Sequence, residues 1–361
     1  MTRIGDGQES GDLSYAASGV DIAEGELAVD RIRKSVAATS IPGVLSSIGG
    51  FGGLFQFDAA AFREPVLVSS TDGVGTKAYL ASLARRYSTI GIDLVAMCVD
   101  DIAVLGAKPL FLLDYLSVGK LEASMASDLI EGIAGGVRQC GAALIGGEMA
   151  EHPGSMPEGH FDLAGFVVGV AEKSEMWGPH RVSVGDLVVG IDSPNLRSNG
   201  FSLARRALFG RLSDPGASAS EHERFLELAA QPGSRPGATI LDELLDPSVL
   251  YSPVLQALAG QLEIKAAAHV TGGGLESNLS RVLPEGTSAK IDFGSWEVPG
   301  IFRLIQERGA IETTEMRRVF NMGIGMALVV GPDEASRALK MLAGLGRRGF
   351  VIGEIAREQK D

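Results

Sequence analysis

The sequence predicts a two-domain protein of the mixed α/β (α+β) class, and three observations carry that prediction. The chain has 361 residues, more than one ordinary core accommodates. Apolar runs of strand length alternate with segments of helical period. A change of composition over residues 172–184, punctuated by Trp177-Gly178-Pro179, separates two such alternating stretches.

The elements follow in order. Residues 1–18 are expected to be mobile, and a helix is expected over 22–37. A very Gly-rich stretch comes next, Ile48-Gly49-Gly50-Phe51-Gly52-Gly53-Leu54-Phe55. Residues 65–69 read as a buried strand feeding the loop Ser70-Thr71-Asp72-Gly73-Val74-Gly75-Thr76-Lys77. The period turns helical over 79–86 and 88–105, until Gly106-Ala107-Lys108-Pro109 ends it. Strand 110–118, helix 122–140, strand 142–145 with the loop Gly146-Gly147-Glu148, and strand 161–171 complete the first half. The second half reads as strand 187–191, helix 200–209, strand 265–268, helix 275–281, strand 325–330, helix 333–345 and strand 350–355. Residues 211–237, rich in Ser, Pro, Gly and Ala, read as a variable surface excursion.

Composition narrows the function. A formal charge of −13 argues against nucleic acid or an acidic membrane as partner. A phosphate-binding cleft on such a chain needs metal cations or local basic residues. Cys98 and Cys140 lie in apolar helical patterns and read as small buried side chains. Met1 to Asp12 has no apolar stretch of a signal peptide, and no run is long enough to span a bilayer. The cytoplasm is the expected location.

Four sets of residues could carry chemistry. In the first, Gly73 and Gly75 let backbone N–H groups approach phosphate, Lys77 could neutralise it, and Asp72 could hold Mg²⁺. It departs from a Walker A loop, because Thr76 precedes Lys77 and Ala78 follows; a plain strand–turn–helix junction stays open. The second is acidic. Asp93 and Asp100 share one helix face with Asp101 beside them, among apolar neighbours, which favours Mg²⁺ binding over a solvated face. The third, Gly147-Glu148, places a carboxylate after a strand end. The fourth set is Ser198-Asn199-Gly200 with His269-Val270-Thr271-Gly272-Gly273-Gly274, read as a phosphate nest or as flexible turns. Asn321-Met322-Gly323 forms a further tight turn. The five histidines show no metal spacing, so zinc is not expected.

Ten ordered segments tie these loops together: Leu13-Ser14-Tyr15 to Asp21, Gly49 to Gly53, EPVLVSSTDGVGTK at 64–77, TIGIDLVAMCVDD at 89–101, and Pro109 to Lys120, then Gly146 to Pro153, Gly165 to Ser174, Ser198 to Arg205, His269 to Pro284 and Phe320 to Met326. Together they resemble the phosphoribosylformylglycinamidine cyclo-ligases, the aminoimidazole ribonucleotide synthetases of purine biosynthesis. That resemblance implies an aminoimidazole ribonucleotide synthetase-like fold in a homodimer. N-terminal domains pair into a β-barrel, C-terminal domains are α/β sandwiches, and active sites lie near domain and subunit boundaries. It implies an arm, helix and Gly-rich loop over 1–57, an ATP-binding and dimerisation domain over 58–172, and a substrate domain over 173–361.

The implied reaction converts formylglycinamidine ribonucleotide and ATP to aminoimidazole ribonucleotide, ADP and phosphate. Asp72, Asp101 and Glu148 would hold Mg²⁺–ATP, with Lys77 as phosphate contact and Gly50, Gly52 and Gly53 closing over the nucleotide. Gly73, Gly75, Thr76, Asp93 and Gly147 belong to the same implied ATP site. Ser198, Asn199, His269, Thr271, Gly272, Gly273, Gly274 and Asn321 would face the substrate, and Lys77, Asp72 and Arg197 are the implied catalytic residues.

The chain departs from the family pattern at several points. Arg197 stands where many relatives have His, Val99-Asp100-Asp101 replaces Val-Asn-Asp, Pro247-Ser248-Val249-Leu250-Tyr251 lacks a basic residue, and Leu275-Glu276-Ser277 replaces a commonly aromatic stretch. Two rivals share the resemblance: a nucleotide-binding dimer without catalysis, and an enzyme like the selenophosphate synthetases or thiamine-phosphate kinases. Against the latter, no reactive Cys or Gly-rich selenium loop occurs near the N-terminus.

Overall fold

The computed structural model describes residues 14, 18–214 and 216–358; the readings of Met1 to Asp12, Leu13 and Tyr15 lie outside the described residues. The first half runs α1 (Ile22–Ala37), β1 (Pro65–Gly73), α2 (Lys77–Ala84), α3 (Ile90–Ala103), β2 (Lys108–Val118), α4 (Ala123–Gln139), β3 (Ala143–Glu151) and β4 (Phe161–Glu172). Its strands form a four-stranded sheet in the order β1-β4-β2-β3, antiparallel except for the β2–β3 pair. Asp21 starts α1 by accepting from the Ala23 and Glu24 amides, as expected of an N-cap aspartate.

The second half runs β5 (Leu187–Asp192), α5 (Phe201–Phe209), α6 (Ala219–Ala229), α7 (Ile240–Leu245), α8 (Ser252–Leu258), β6 (Ile264–His269), α9 (Gly274–Ser280), β7 (Thr287–Ile291), α10 (Gly300–Gly309), α11 (Thr313–Val319), β8 (Ile324–Val330), α12 (Pro332–Gly344) and β9 (Gly349–Arg357). Its five strands are antiparallel in the order β6-β8-β5-β9-β7. β8 is buried at every residue, as a strand covered on both faces must be. Among the described residues, no helix is long and apolar enough to cross a membrane.

α3 holds the two halves together. It packs against β1, β4 and α4 of the first half and against α8 of the second. All its residues except Ile92 and Asp101 are buried, which explains why its sequence is apolar on every side. The first sheet, by contrast, has one open face. Val68, Leu112, Leu116, Leu163 and Val167 point to the helices and are buried, whereas Leu67, Tyr115 and Phe166 on the other face are 63%, 43% and 42% exposed.

Several boundaries differ from the sequence reading. β1 continues through Ser70-Thr71-Asp72 to Gly73, leaving only Val74 to Thr76 as loop. β3 passes straight through Gly146-Gly147-Glu148, so Glu148 is a strand residue rather than part of a loop. The excursion over 211–237 contains α6, whose Phe225 is fully buried against Phe209 with ring centroids 4.9 Å apart. β7 and the helices α7, α8, α10 and α11 were not anticipated.

Candidate active site

The ends of β1 and α3 meet the loops of the second half along one seam, and two buried ion pairs close it. Lys77 Nζ sits 2.7 Å from Asp93, both side chains being wholly buried. The same ammonium donates to the backbone carbonyls of Arg197 and Asp246. Its three N–H bonds are therefore committed. Asp93 also accepts from the Ser248 amide and hydroxyl. Burial pushes the Asp93 carboxyl up and the Lys77 ammonium down, and each opposes the other's shift. Lys77 thus ties the halves together, and Asp93 is its buried counter-ion. Both residues, expected in the ATP site, lie here against each other inside the seam.

Seven residues along α3, Asp100 makes the matching pair. Arg197 Nη2 donates to it at 2.7 Å, with both side chains fully buried. The Tyr251 and Ser252 amides complete the Asp100 shell. The two carboxylates that suggested Mg²⁺ are instead neutralised by cations that the sequence does not place beside them. Arg197, only 1% exposed, spends its Nη2 nitrogen on neutralising Asp100.

Asp101 is the acid of α3 that faces open space, its side chain 37% exposed. Ser70 donates to it at 3.0 Å, and His269 Nδ1 lies 2.8 Å away. Burial pushes the Asp101 carboxyl up, but the His269 contact, the Ser70 hydroxyl and the Arg281 guanidinium outweigh it, leaving it below the usual range. Asp72 behaves oppositely. Burial raises it, the Gly73 amide works against that, and the negative charge of Asp101 adds to the rise. Asp72, whose charge Asp101 disfavours, forms with Asp101 and the Ser70 hydroxyl a hard-oxygen donor set that a divalent cation would relieve. Among the described residues, no three His, Cys, Asp or Glu side chains form a closed metal cage. This pair fits a Mg²⁺ that takes its remaining ligands from polyphosphate and water.

Glu148 does not join them within one chain. Asp72 pairs across the sheet with Gly165, Gly165 with Asp114, and Asp114 with Gly147. Three strand spacings of ~4.8 Å put Gly147 roughly 14 Å from Asp72. Glu148 pairs with Tyr115, on the open face of the sheet, opposite to the face Asp72 occupies. The structure groups Gly147 and Glu148 with Gly50, Gly52 and Gly53 instead, around a cavity of 460 Å³ walled by α1 and β3.

The loops of the second half border the seam. Thr76 and Ser202 hydroxyls lie 3.1 Å apart, and Gly75 packs near the Ser198 carbonyl. Ser198 Oγ and Asn199 Oδ1 are buried without a partner. Gly272 has open space around its α-carbon. Gly274 has φ +74°, and a Cβ there would meet the Arg317 carbonyl at 1.9 Å, so only glycine fits. Asn321 is buried, donates to the Asn195 carbonyl and accepts from the Gly323 amide, and so shapes its loop.

Some contributors were missed. Asn278 donates to the carbonyls of Thr271, Gly272 and Gly274 and fixes the triple-glycine loop. Asp114 lines the glycine-loop cavity, and burial raises its carboxyl to about 7. An acid inside an apolar strand was the available signal for Asp114, the same signal that singled out Asp93. Nothing local marks Asn278.

Comparison with known proteins follows the same division. Residues 57–171 match the model of the AIR synthase related protein N-terminal domain, and residues 183–361 match that of its C-terminal domain. The chain belongs to the AIR synthase family. Within it, the phosphoribosylformylglycinamidine cyclo-ligase of Trichlorobacter lovleyi is 47% identical over 349 residues, 96% of each chain. The cyclo-ligase of Anaeromyxobacter dehalogenans strain 2CP-1 is 48% identical over 95% of each chain. More distant AIR synthase folds are also similar in structure. Thiamine-monophosphate kinase from Stenotrophomonas maltophilia K279a superposes with a TM-score of 0.59 at 19% identity, covering 92% of this chain and 94% of its own. The E. coli hydrogenase maturation protein HypE gives 0.60 at 16% identity, with 93% and 91% covered. At these identities the likeness is one of fold.

Proposed function

We propose that the chain is a phosphoribosylformylglycinamidine cyclo-ligase: formylglycinamidine ribonucleotide and ATP give aminoimidazole ribonucleotide, ADP and phosphate. The observation that carries this reading is near-half identity to cyclo-ligases over both halves, including the half expected to bind the substrate. Ring closure must expel the formyl-derived oxygen, a poor leaving group. Phosphorylating that oxygen yields an iminophosphate; the amidine-side nitrogen attacks the carbon, and phosphate departs. The protein's share is positioning and charge stabilisation.

The residues divide that work along the seam. Asp101 and Asp72 hold the Mg²⁺ of Mg²⁺–ATP, with Ser70 and His269 aligning Asp101. Bound there, the ion would supply charge neutralisation to the polyphosphate. The unpartnered Ser198 and Asn199 oxygens, together with the open backbone at Gly272, bind the substrate and its ribose phosphate. On this reading residues 58–172 form the nucleotide half and 173–361 the substrate half.

A homodimer completes the picture. The open apolar face at Leu67, Tyr115 and Phe166 is the surface that a second copy covers, closing two sheets into a barrel. Glu148, on that face, then serves the nucleotide site at the subunit boundary. The decisive assay mixes purified protein with formylglycinamidine ribonucleotide, ATP and Mg²⁺, and follows aminoimidazole ribonucleotide and phosphate together. Equal yields of both are expected; phosphate release without the ring product overturns the reading.

A further inference from the structure

Arg197 is held more tightly than an ion pair requires. Its backbone adopts φ +62°, a left-handed conformation that costs a side-chain-bearing residue energy. Its amide donates to Asn195 Oδ1, its carbonyl accepts from Lys77, and its guanidinium lies over the Tyr251 ring at 4.7 Å. Backbone, ring stacking and charge thus fix one placement. In that placement Nε and Nη1 find no partner in the chain, while Nη2 makes two contacts, Asp100 at 2.7 Å and His269 Nε2 at 3.0 Å. A residue serving only to neutralise Asp100 would be expected to spread its donors; this one concentrates them on the atom that joins Asp100 to His269.

The second contact has a fixed direction. A guanidinium has donors and no acceptor, so the imidazole nitrogen facing it must be the acceptor. His269 Nε2 is then bare, and the ring proton resides on Nδ1. That nitrogen lies 2.8 Å from Asp101 Oδ1 and donates to it. The path is continuous: Asp100, Arg197, His269, Asp101, with Ser70 donating to the other oxygen of Asp101.

We propose that Arg197 is a positioning residue: it fixes the His269 tautomer and thereby presents Asp101 to Mg²⁺–ATP as an aligned, acceptor-only carboxylate. The proposal rests on the cyclo-ligase reading only for the identity of the nucleotide. It assigns Arg197 no contact with substrate or phosphate. The second donor to Asp101 leaves its lone pairs on the exposed side for the ion.

Two measurements test it, and neither depends on turnover. The first is ¹⁵N NMR of histidine-labelled full-length protein, with His269 assigned by a His269→Asn control. A protonated Nδ1 and a bare Nε2 are expected; a proton on Nε2 overturns the proposal outright, whatever the variants do. The second is calorimetric affinity for Mg²⁺–ATP in Arg197→Met combined with Asp100→Asn, which removes both members of the buried pair so that no charge is left alone. Loss of the Nδ1 preference and at least tenfold weaker binding are expected, with a melting temperature near that of the parent. The same Arg197→Met, Asp100→Asn change added to His269→Asn, whose amide can still donate to Asp101, should weaken binding no further. Unchanged tautomer and affinity in the folded double variant, or equal losses with and without His269, would sink the proposal. If the double variant does not fold, the proton position in the unaltered protein decides alone. A failed cyclo-ligase assay beside a protonated Nδ1 and intact nucleotide binding would count against the substrate and not against this assignment.

Discussion

Lys77 is wholly buried and Asp101 is part-exposed, and their substitutions should separate cleanly. Lys77→Met leaves Asp93 buried without its counter-charge, which costs about 3–5 kcal/mol. Adding Asp93→Asn should recover most of that, because Ser248 can still donate to the amide oxygen. Urea unfolding of the two variants checks this; a Lys77→Met protein as stable as the parent but devoid of nucleotide binding would return Lys77 to the phosphate site. Asp101→Asn removes a part-exposed charge. It should leave the melting temperature nearly unchanged while raising KM for Mg²⁺–ATP roughly 10- to 100-fold, the equivalent of about 1.5–3 kcal/mol for a hydrogen bond to a charged group. The sequence showed that Asp93, Asp100 and Asp101 sat uneasily in an apolar helix. It could not show their partners, because Lys77, Arg197 and His269 come from three other segments and only folding brings them to α3.

At the scale of elements, α7 shows a second kind of tie between the halves. Thr239 and Asp242 form a reciprocal capping box at its start, and Asp242 also receives Arg86 of the first half at 2.7 Å. The Thr239 amide and hydroxyl, then Arg86, hold the Asp242 carboxyl at about 2, against 3.8 ordinarily. The folded value is depressed, so the stabilisation is full above the unfolded value near 3.8 and disappears as pH falls through about 2. Asp242→Asn should therefore melt below the parent at pH 7, with the gap narrowing under pH 4 and closing near pH 2. A gap constant over that range would exclude the ionic contribution. Periodicity could not reveal α7, α8 or α11, which are six or seven residues long and present less than two turns of pattern. It found α3 and α4 within two residues because each buries a long continuous face.

For the whole molecule, composition and period predict two alternating stretches, and the strands form two separate sheets. The placement of Glu148 on a strand was not legible, because a Gly-Gly pair reads as a turn where the structure continues a strand. Strand register then decides which face a side chain serves, and a sequence without its pairing partners carries no register. If the open face of the first sheet is where two copies meet, Leu67→Lys should convert a dimer to a monomer in light scattering while retaining the secondary structure. A parent protein that scatters as a monomer would remove the dimer from the proposal.

The two ion pairs on α3 also bear on how freely the halves can be recombined. Each half carries only one sign of the Arg197–Asp100 lock, and Lys77 is anchored by carbonyls from the other side of the seam. A chimera joining the first half to the second half of a distant relative would inherit uncapped carboxylates unless the matching arginine and backbone came with it. Expressed alone, residues 58–172 would leave Asp100 facing water where it was built to face Arg197. The chain is assembled from two sheets, yet for engineering it is a single part.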